Sequence, residues 1–340
     1  MTVSNAYNKP DQLSAQTRDA VLAMARSLGY SGPSAAGRSL RRGLSGTIGV
    51  LLTERLPYAF TDPGTVAFLH GLATELADSH HALQLIPSDG DPESTLAVVQ
   101  AAIVDAFVIT GLDANSPVIA AVQARRLPLV TAGSPHLAGV PCVSIANEQA
   151  ARTAAEHLIG LGHTCCGAIT YRAQLREAAD GRLIPVHESF RDRWVGYERA
   201  FASAGLPHGL SCTHAAATNS RAGGHDAARI LLSDPATRPT ALLAMTDVLA
   251  LGAIDAAGEL GLHVPTDVSV VGFDDIEEAQ RSSPSLTTVS QDLFRQGRYA
   301  AALALAAVAG DPAPAQEFTT ELVHRASTAP PGSAATEGTA

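Results

Sequence analysis

The sequence is poor in aromatic residues, in cysteine and in charge. Among its 340 residues, aromatic side chains make up 4% and charged ones 16%, whereas hydrophobic residues reach 46%. This apolar content excludes a disordered chain, and the length suffices for about two domains. The cysteines lack the C-x-x-C spacing of zinc and redox sites, so we expect structural thiols and no metal site. The four are Cys142, Cys165, Cys166 and Cys212.

Signals for targeting and for catalysis are also missing. The opening MTVSNAYNKPDQLS has no apolar core of a secretory signal, and no apolar stretch reaches the ~20 residues of a membrane span. We therefore expect a soluble, cytoplasmic protein. No G-x-G-x-x-G follows a predicted strand, and G-x-x-x-x-G-K-[ST], G-x-S-x-G and H-E-x-x-H do not occur. The sequence thus predicts binding rather than catalysis, and no cofactor.

Charge is distributed unevenly along the chain. The net charge is −10, which by itself disfavours a nucleic-acid partner. Residues 1–45, however, hold six Lys and Arg against two Asp, a net +4, while the other 17 basic and 31 acidic residues give −14. A basic segment on an acidic body is typical of an arm that contacts nucleic acid.

The apolar pattern predicts an α/β fold. Residues 14–28 have helical periodicity, with Ser14 as N-cap and Gly29 just beyond the end. From Thr47 onward, short apolar runs alternate with longer Ala- and Leu-rich segments in two successive series. This alternation predicts two lobes, each a parallel sheet with helices on both faces. The predicted strands are 46–53, 81–88, 106–111, 128–133, 143–147, 166–171, 211–215, 240–245 and 267–274. The predicted helices are 66–77, 92–102, 117–124, 148–161, 191–204, 221–232 and 247–260.

Polar side chains stand where three of these strands end. Thr53, Thr246 and Asp274 each follow an apolar run. In parallel sheets, ligands bind beyond the carboxyl ends of the strands, so these positions favour a small-molecule site. An alternative stays open: Asp62, Thr246 and Asp274 only cap or terminate their elements.

A series of segments in order resembles the LacI/GalR family of transcriptional regulators. TVSNAYN (2–8) is similar to the recognition-helix motif of that family, PSAAGRSL (33–40) to its hinge, and GTIGVLL (46–52) to its first core strand. AMTDVLALGAIDAAGELGLHVPTDVSVVGFDD (244–275) is the most specific block. The other similar segments are RDAVLAMARSLGY (18–30), EHLIGLGH (156–163), PSLTTVSQD (284–292) and TELVHRAST (320–328).

The resemblance implies a domain plan. A small helix-turn-helix headpiece and a hinge would precede a two-lobed core like that of periplasmic binding proteins. The implied ranges are headpiece 1–30, hinge 31–46, first lobe 47–161 plus 292–318, second lobe 162–291 plus 319–328, and a disordered tail 329–340. The chain would pass between the lobes near Leu161–Gly162, Val289–Gln291 and Phe318–Thr319.

The resemblance also implies a function. The chain would be a sequence-specific DNA-binding regulator, most simply a repressor, that dimerises on a pseudo-palindromic operator. A small-molecule effector, expected to be a sugar or related metabolite, would bind between the lobes. The residues implied as effector contacts are Thr53, Tyr58, Phe60, Asp62, Asp89, Arg193, Asn219, Thr246, Asp274 and Gln291. For Arg193, a salt bridge on the helix surface is the alternative.

A second set of residues is implied at DNA. Hydroxyl and amide side chains of the recognition helix would bond phosphates, an asparagine would read a base edge, and a hinge leucine flanked by arginines would enter the minor groove. These residues are Thr2, Ser4 and Asn8 at phosphates, Asn5 at a base, and Arg38, Leu40 and Arg41 in the hinge. The alternatives are a Leu40 that packs on the core and arginines on a solvated linker face.

The sequence departs from the family pattern in several places. The recognition-helix motif begins directly after Met1, whereas a helix-turn-helix needs an earlier helix and a turn. We therefore expect the true start to lie upstream: an in-frame upstream segment encoding an amphipathic helix would support this, and a stop codon directly before Met1 would contradict it. The hinge has one residue more than the common spacing, at Gly32, and Gly37 replaces an alanine. Ala146 stands where an aspartate is frequent before Asn147.

Two other functions compete with this one. A small-molecule binding module that has lost DNA binding would keep the core alone, although the missing signal peptide and the basic segment 1–45 argue against it. An enzyme on the same fold would need a nucleophile or an acid–base pair, and the sequence offers none that we can name.

Overall fold

The computed structural model describes residues 2–8, 10–30, 43–53, 55–88, 91–171, 175–177, 183–185, 187–311 and 313–332. Four residues implied at DNA or effector lie outside these ranges: Arg38, Leu40, Arg41 and Asp89. The side chain of Asn8 is likewise outside the description.

The N-terminal segment forms two short helices, α1 (Thr2–Asn8) and α2 (Ala15–Ser27), with a 3₁₀ turn between them. The predicted N-cap is confirmed, because Ser14 Oγ accepts a hydrogen bond of 3.2 Å from the Thr17 amide. Gly29 ends the helix at a φ of +68°, as predicted for a residue in the left-handed region. The two helices contact each other, and each has a buried residue, Ala6 in α1 and Ala25 in α2.

Twelve strands of the described chain build two six-stranded sheets. In the first sheet every pairing is parallel, in the order β13-β5-β4-β3-β1-β2. Its strands are β1 (Thr47–Leu52), β2 (Ala82–Pro87), β3 (Ala106–Thr110), β4 (Leu129–Ala132), β5 (Cys142–Ile145) and β13 (Gln316–Phe318). The four inner strands β1, β3, β4 and β5 are almost wholly buried, which fits a sheet covered on both faces, whereas the edge strands β2 and β13 are partly exposed.

The second sheet has the order β14-β12-β11-β10-β6-β9, parallel except for the edge pair β12 and β14. Its strands are β6 (Cys166–Tyr171), β9 (Leu210–Ala216), β10 (Ala241–Ala244), β11 (Ser269–Asp274), β12 (Thr287–Ser290) and β14 (Glu321–Val323). A separate hairpin, β7 (Leu175–Glu177) with β8 (Leu183–Pro185), follows β6. The two parallel sheets confirm the predicted two-lobed α/β fold.

Helices cover both sheets. Those of the described chain are α3 (Leu56–Ala59), α4 (Pro63–Asp78), α5 (Pro92–Ala101), α6 (Pro117–Ala124), α7 (Asn147–Gly160), α8 (Glu188–Ser203), α9 (Arg221–Leu232), α10 (Asp247–Glu259), α11 (Glu277–Arg281) and α12 (Leu293–Ala309). The pattern-based prediction found the strands and long helices between residues 46 and 274 to within a few residues, and it missed α3 and the β7–β8 hairpin.

The first passage between the lobes lies earlier than the resemblance implies. Helix α7 follows β5 of the first sheet but packs against α8 and against strands of the second sheet. The packing is close, because a Cβ on Gly196 of α8 would lie 2.3 Å from the Glu148 carbonyl oxygen of α7. The chain therefore changes lobes between Ile145 and Asn147 rather than near Leu161–Gly162.

The ordered chain also continues past residue 328. The amide of Ala329 donates to Ser269 Oγ at 3.0 Å, and its carbonyl oxygen accepts from the same hydroxyl. His163 Nε2 lies 2.9 Å from that oxygen. Ala329 is thus fixed to the second lobe, and it does not belong to the predicted disordered tail. The described part of the chain contains no helix whose length and hydropathy would suit a membrane span.

Glycine lets α9 and α10 approach closely. A Cβ on Gly252 would lie 2.0 Å from the Arg221 carbonyl oxygen, a backbone atom that cannot easily move, whereas a Cβ on Gly258 of the same helix meets nothing within 4 Å. We expect Gly252→Ala to lower the free energy of unfolding by about 3 kcal/mol. Gly258→Ala should instead raise it by about 0.5–1 kcal/mol, because alanine favours the helix. Urea unfolding of both variants checks this, and equal effects of the two would contradict the packing described.

Candidate functional site

A cavity of about 200 Å³ lies between the two lobes, at the carboxyl ends of both sheets. Its walls come from the ends of β1, β3 and β4 on one side and from the ends of β6 and β11 on the other. The implied effector residues that line it are Thr53, Tyr58, Asp62, Arg193, Asn219, Thr246, Asp274 and Gln291. They come from distant parts of the chain, and the fold brings them together.

Phe60 is the exception among the described effector candidates. Its side chain is 65% exposed and is not part of the cavity wall. Phe60 terminates the short helix α3, whose preceding residue, Ala59, is buried and lines the cavity. The turn of the helix places Ala59 inward and Phe60 in solvent, so its implied place in the pocket is wrong.

Arg193 lies at the centre of the cavity wall. It is 5% exposed, and its Nε donates to Asn147 Oδ1 at 2.9 Å while Nη1 donates to the Met245 carbonyl oxygen at 2.8 Å. Its Cζ lies 3.5 Å from the centre of the Phe273 ring. Burial lowers the pKa of Arg193, and the charge of Asp274 opposes that shift. The alternative of a helix-surface salt bridge is excluded, because Arg193 faces inward.

Asp274 supplies the nearest negative charge. Its Oδ1 accepts a hydrogen bond of 2.5 Å from Gln291 Nε2 and lies 4.0 Å from Arg193 Nη1. Burial raises the pKa of Asp274 well above its usual range, and Arg193 lowers it in part. The next residue, Asp275, turns away and pairs with Arg325 at 2.5 Å. The two adjacent carboxylates thus have different partners, because β11 ends at Asp274 and the backbone turns there, with φ of 123° at Asp274 and 60° at Asp275.

A second polar network joins the lobes across the cavity. Asn219 of the second lobe donates through Nδ2 to Tyr58 Oη at 2.7 Å and, more weakly, to Asp62 Oδ1 at 3.4 Å. The Thr246 hydroxyl donates to Asn219 Oδ1 at 2.6 Å. Tyr58 and Asp62 belong to the first lobe, so Asn219 is the bridging residue of the network.

Asp62 and Thr246 each cap a helix and also line the cavity. Asp62 is the N-cap of α4 and accepts from the Thr65 amide at 2.9 Å. Thr246 is the N-cap of α10 and accepts from the Leu249 amide at 3.4 Å. Each also lines the cavity, because helices that follow parallel strands begin at the edge where ligands bind. The two interpretations left open by the sequence therefore hold together.

The cavity wall also contains residues that sequence reasoning missed. Tyr171 ends β6, and its ring meets that of Phe190 edge to face at 5.4 Å. Phe190 precedes Arg193 by three residues on the same helix, and residues at this spacing share a face. The predicted inward position of Arg193 could therefore have indicated that Phe190 also faces the cavity. Asn147 and Gln296 are further polar residues of the cavity wall, and no pattern in the sequence indicates that they lie there.

Known proteins similar to this chain have the same two-lobed type of fold. A family model described as a periplasmic binding protein-like domain matches residues 155–328. An HTH-type transcriptional regulator of Mycobacterium tuberculosis is 36% identical over 97% of this chain and 93% of its own length. The chain belongs to the LacI/GalR family of transcriptional regulators.

Solved structures agree with membership of the LacI/GalR family. A LacI-family regulator from Corynebacterium glutamicum is similar with a TM-score of 0.74 and 31% identity, over 97% of this chain and 94% of that one. The transcriptional regulator CelR, in its complex with cellobiose, is similar with a TM-score of 0.71 and 25% identity, over 95% and 94% of the two chains.

We expect His187 to make the stability of this LacI/GalR regulator depend on pH. The side chain lines the cavity, burial lowers its pKa to about 4, and the charge of Asp113 opposes the shift. The unfolded chain therefore binds this proton at a higher pH than the native state. The contribution is fully present above pH 6.5 and is lost as the pH falls toward 4, by at most about 3 kcal/mol.

The His187→Gln variant isolates this effect. We expect the free energy of unfolding of the native sequence to fall more steeply than that of the variant between pH 6.5 and pH 4. Urea unfolding at several pH values measures both slopes. Identical slopes would show that His187 does not titrate in this window.

Proposed function

We propose that this regulator is a repressor that binds a neutral, polyhydroxylated ring compound, such as a monosaccharide, between its lobes. The observation that carries the proposal is the set of buried polar groups facing one small cavity from both lobes. Arg193, Asp274 and Gln291 stand on one side, and the Tyr58–Asn219 network stands on another.

The chemistry of the wall favours hydroxyl groups. Carboxylate oxygens accept, a guanidinium donates, and amides do both, which is the pattern that sugar hydroxyls satisfy. Two acidic side chains, Asp274 at 4.0 Å from Arg193 and Asp62, line the cavity beside this single guanidinium, an arrangement that disfavours a phosphate. Tyr171 and Phe190 provide aromatic surfaces for the apolar faces of a ring.

His187 offers a further hydrogen-bonding atom. Its buried Nδ1 has no hydrogen-bond partner among the described residues. With a pKa near 4, the imidazole is neutral at physiological pH and can accept from or donate to a ligand hydroxyl. The cavity of about 200 Å³ is smaller than the roughly 300 Å³ at which drug-sized pockets begin, which suits a single ring.

The DNA-binding part of the proposal rests on the N-terminal segment. Thr2, Ser4, Asn5 and Asn8 lie on α1, with Thr2 exposed and Ser4 and Asn5 partly so. Together with Arg38, Leu40 and Arg41, they belong to the segment of net charge +4 that suits a phosphate backbone. We propose that two copies of the chain bind a pseudo-palindromic operator in the cytoplasm through these segments, and that the protein catalyses no reaction.

Ligand screening tests the effector class. The full chain would be examined by thermal shift against neutral monosaccharides, cyclic polyols, purines and sugar phosphates, with affinities then measured by calorimetry. The proposal expects stabilisation by a neutral polyhydroxylated compound and no chemical change of that compound on incubation. Stabilisation by a sugar phosphate or a purine alone would overturn the proposed class, and turnover would favour an enzyme.

A further inference from the structure

Asp105, at the start of β3, holds the backbone that leads into the first lobe. Its Oδ1 accepts from the Ser45 amide at 2.6 Å and from the Ser45 hydroxyl at 3.0 Å. Its Oδ2 accepts from the amides of Gly46, at 2.6 Å, and Thr47, at 3.3 Å. The side chain is 7% exposed, so these donors compensate for a carboxylate removed from water.

The geometry of this contact, which we name the Asp105 clamp, is built by the backbone. Gly46 has a φ of +72°, a conformation that lets successive amides converge on one anion. The clamp is extended by the Asp105 amide, which donates to the Thr47 carbonyl oxygen, and by the Ala82 amide, which donates to that of Gly46, each at 2.8 Å. Residues 45–47, which lead into β1, are therefore hydrogen-bonded to the beginning of β2 and to the residue just before β3.

The clamp stands where the DNA-binding segment joins the core. Gly43 and Leu44 are exposed, and burial of the chain begins at Ser45. The basic residues of the N-terminal segment all precede this point. The direction in which residues 43 and 44 leave the lobe is therefore fixed by the hydrogen bonds to Asp105.

The clamp and the cavity lie at opposite ends of the same strands. β1 runs from Thr47 at the clamp to Leu52, which is followed by Thr53 in the cavity wall. β3 begins directly after Asp105 and runs to Thr110, which lies in that wall. Six strand residues span about 20 Å. A pair of hydrogen-bonded strands is a stiff connection over that distance.

We infer that Asp105 is a positioning residue for DNA binding: it sets the point and direction in which the DNA-binding segment projects from the first lobe. The inference rests on the function proposed above. A purely local role, in which Asp105 only closes a turn, would weaken the fold without altering operator binding specifically.

The test compares Asp105→Asn with Asp78→Asn in the full chain. Asparagine keeps the shape of Asp105 but replaces one acceptor by a donor that faces a backbone N–H. Asp78 is exposed at the end of α4 in the same lobe, so its variant makes the same change in net charge away from the clamp. The measurements are hydrogen exchange of residues 43–52, thermal unfolding, and affinity for a DNA duplex selected from a random library by the unaltered chain.

The inference expects three results for Asp105→Asn. Amides 45–47 exchange at least about tenfold faster, because their hydrogen bonds to a charged group are weakened or lost. DNA affinity falls about tenfold or more, because the DNA-binding segment no longer leaves the lobe in a fixed direction. The thermal response to a cavity ligand found by screening stays as in the unaltered chain. Asp78→Asn should change none of the three.

Several results would overturn the inference. Unchanged DNA affinity with faster exchange would reduce the clamp to a local turn, and unchanged exchange would contradict the clamp itself. Equal losses of DNA affinity in both variants would indicate net charge as the cause. If the unaltered chain selects no duplex, the role in DNA binding fails together with the proposed function, and ligand binding in the cavity remains a separate measurement.

Discussion

Replacing Arg193 by methionine is expected to abolish effector binding and to lower the free energy of unfolding by about 3–5 kcal/mol. The loss of stability arises because the buried oxygens of Asn147 and Met245 lose their donor and because Asp274 loses its cationic neighbour, 4.0 Å away in the native protein. The loss of binding arises because Arg193 orients the wall through its bonds to Asn147 and Met245. Calorimetric titration with the screened ligand and urea unfolding measure the two effects.

A matched control and a double variant separate these effects. Arg191→Met removes the same charge from an exposed position on the same helix and should leave binding and stability almost unchanged. The double variant Arg193→Met with Asp274→Asn removes the carboxylate as well, and should regain only the part of the stability that the lost ion pair accounts for, without regaining binding. Recovery of binding in the double variant would remove Arg193 from the proposed effector contacts.

The second large effect is expected at the bridge between the lobes. Asn219→Ala removes the side-chain hydrogen bonds to Tyr58, Asp62 and Thr246, whereas the bond of 3.2 Å from the Tyr58 hydroxyl to the backbone carbonyl of residue 219 stays. Two of the lost bonds, to Tyr58 and Asp62, cross between the lobes, and since each is worth about 1 kcal/mol, effector affinity should fall roughly 30-fold. Part of that loss reflects poorer closure of the lobes around the ligand, and part reflects lost contacts with the ligand itself.

Tyr58→Phe distinguishes these two parts. It removes the hydroxyl that meets Asn219 and keeps the ring in the cavity wall. If closure dominates, this variant shows a substantial share of the Asn219→Ala loss, with a small effect on the free energy of unfolding. An affinity equal to that of the unaltered chain in both variants would contradict a role for the bridge in effector binding.

The sequence predicts the fold well where its pattern is repetitive. Wholly apolar strands alternating with amphipathic helices determine the two sheets almost without other information, and the polar strand ends at Thr53, Thr246 and Asp274 point to the cavity. Each of these polar residues can be recognised from its local sequence. In parallel sheets the carboxyl ends of the strands lie at one edge, so residues that end different strands come together there.

The remainder depends on three-dimensional packing. Phe60 lies beside residues that line the cavity, but one turn of α3 decides which side chain faces inward. Helix α7 follows a strand of the first lobe, and only its close contact at Gly196 shows that it belongs to the second. Asp105 lies in an ordinary helix-to-strand connection, and its partners are some 60 residues away in the chain, so no local pattern reveals the clamp.

We expect a ligand in the interlobe cavity to change the affinity of this regulator for DNA. The most direct test is a titration of a labelled duplex, selected by the chain itself, with and without the ligand found by screening. The double variant Arg193→Met with Asp274→Asn is measured in parallel. We expect the ligand to shift the dissociation constant for DNA in the unaltered chain and to have no effect in the variant. Equal shifts in both proteins, or no shift in the unaltered chain, would contradict the account.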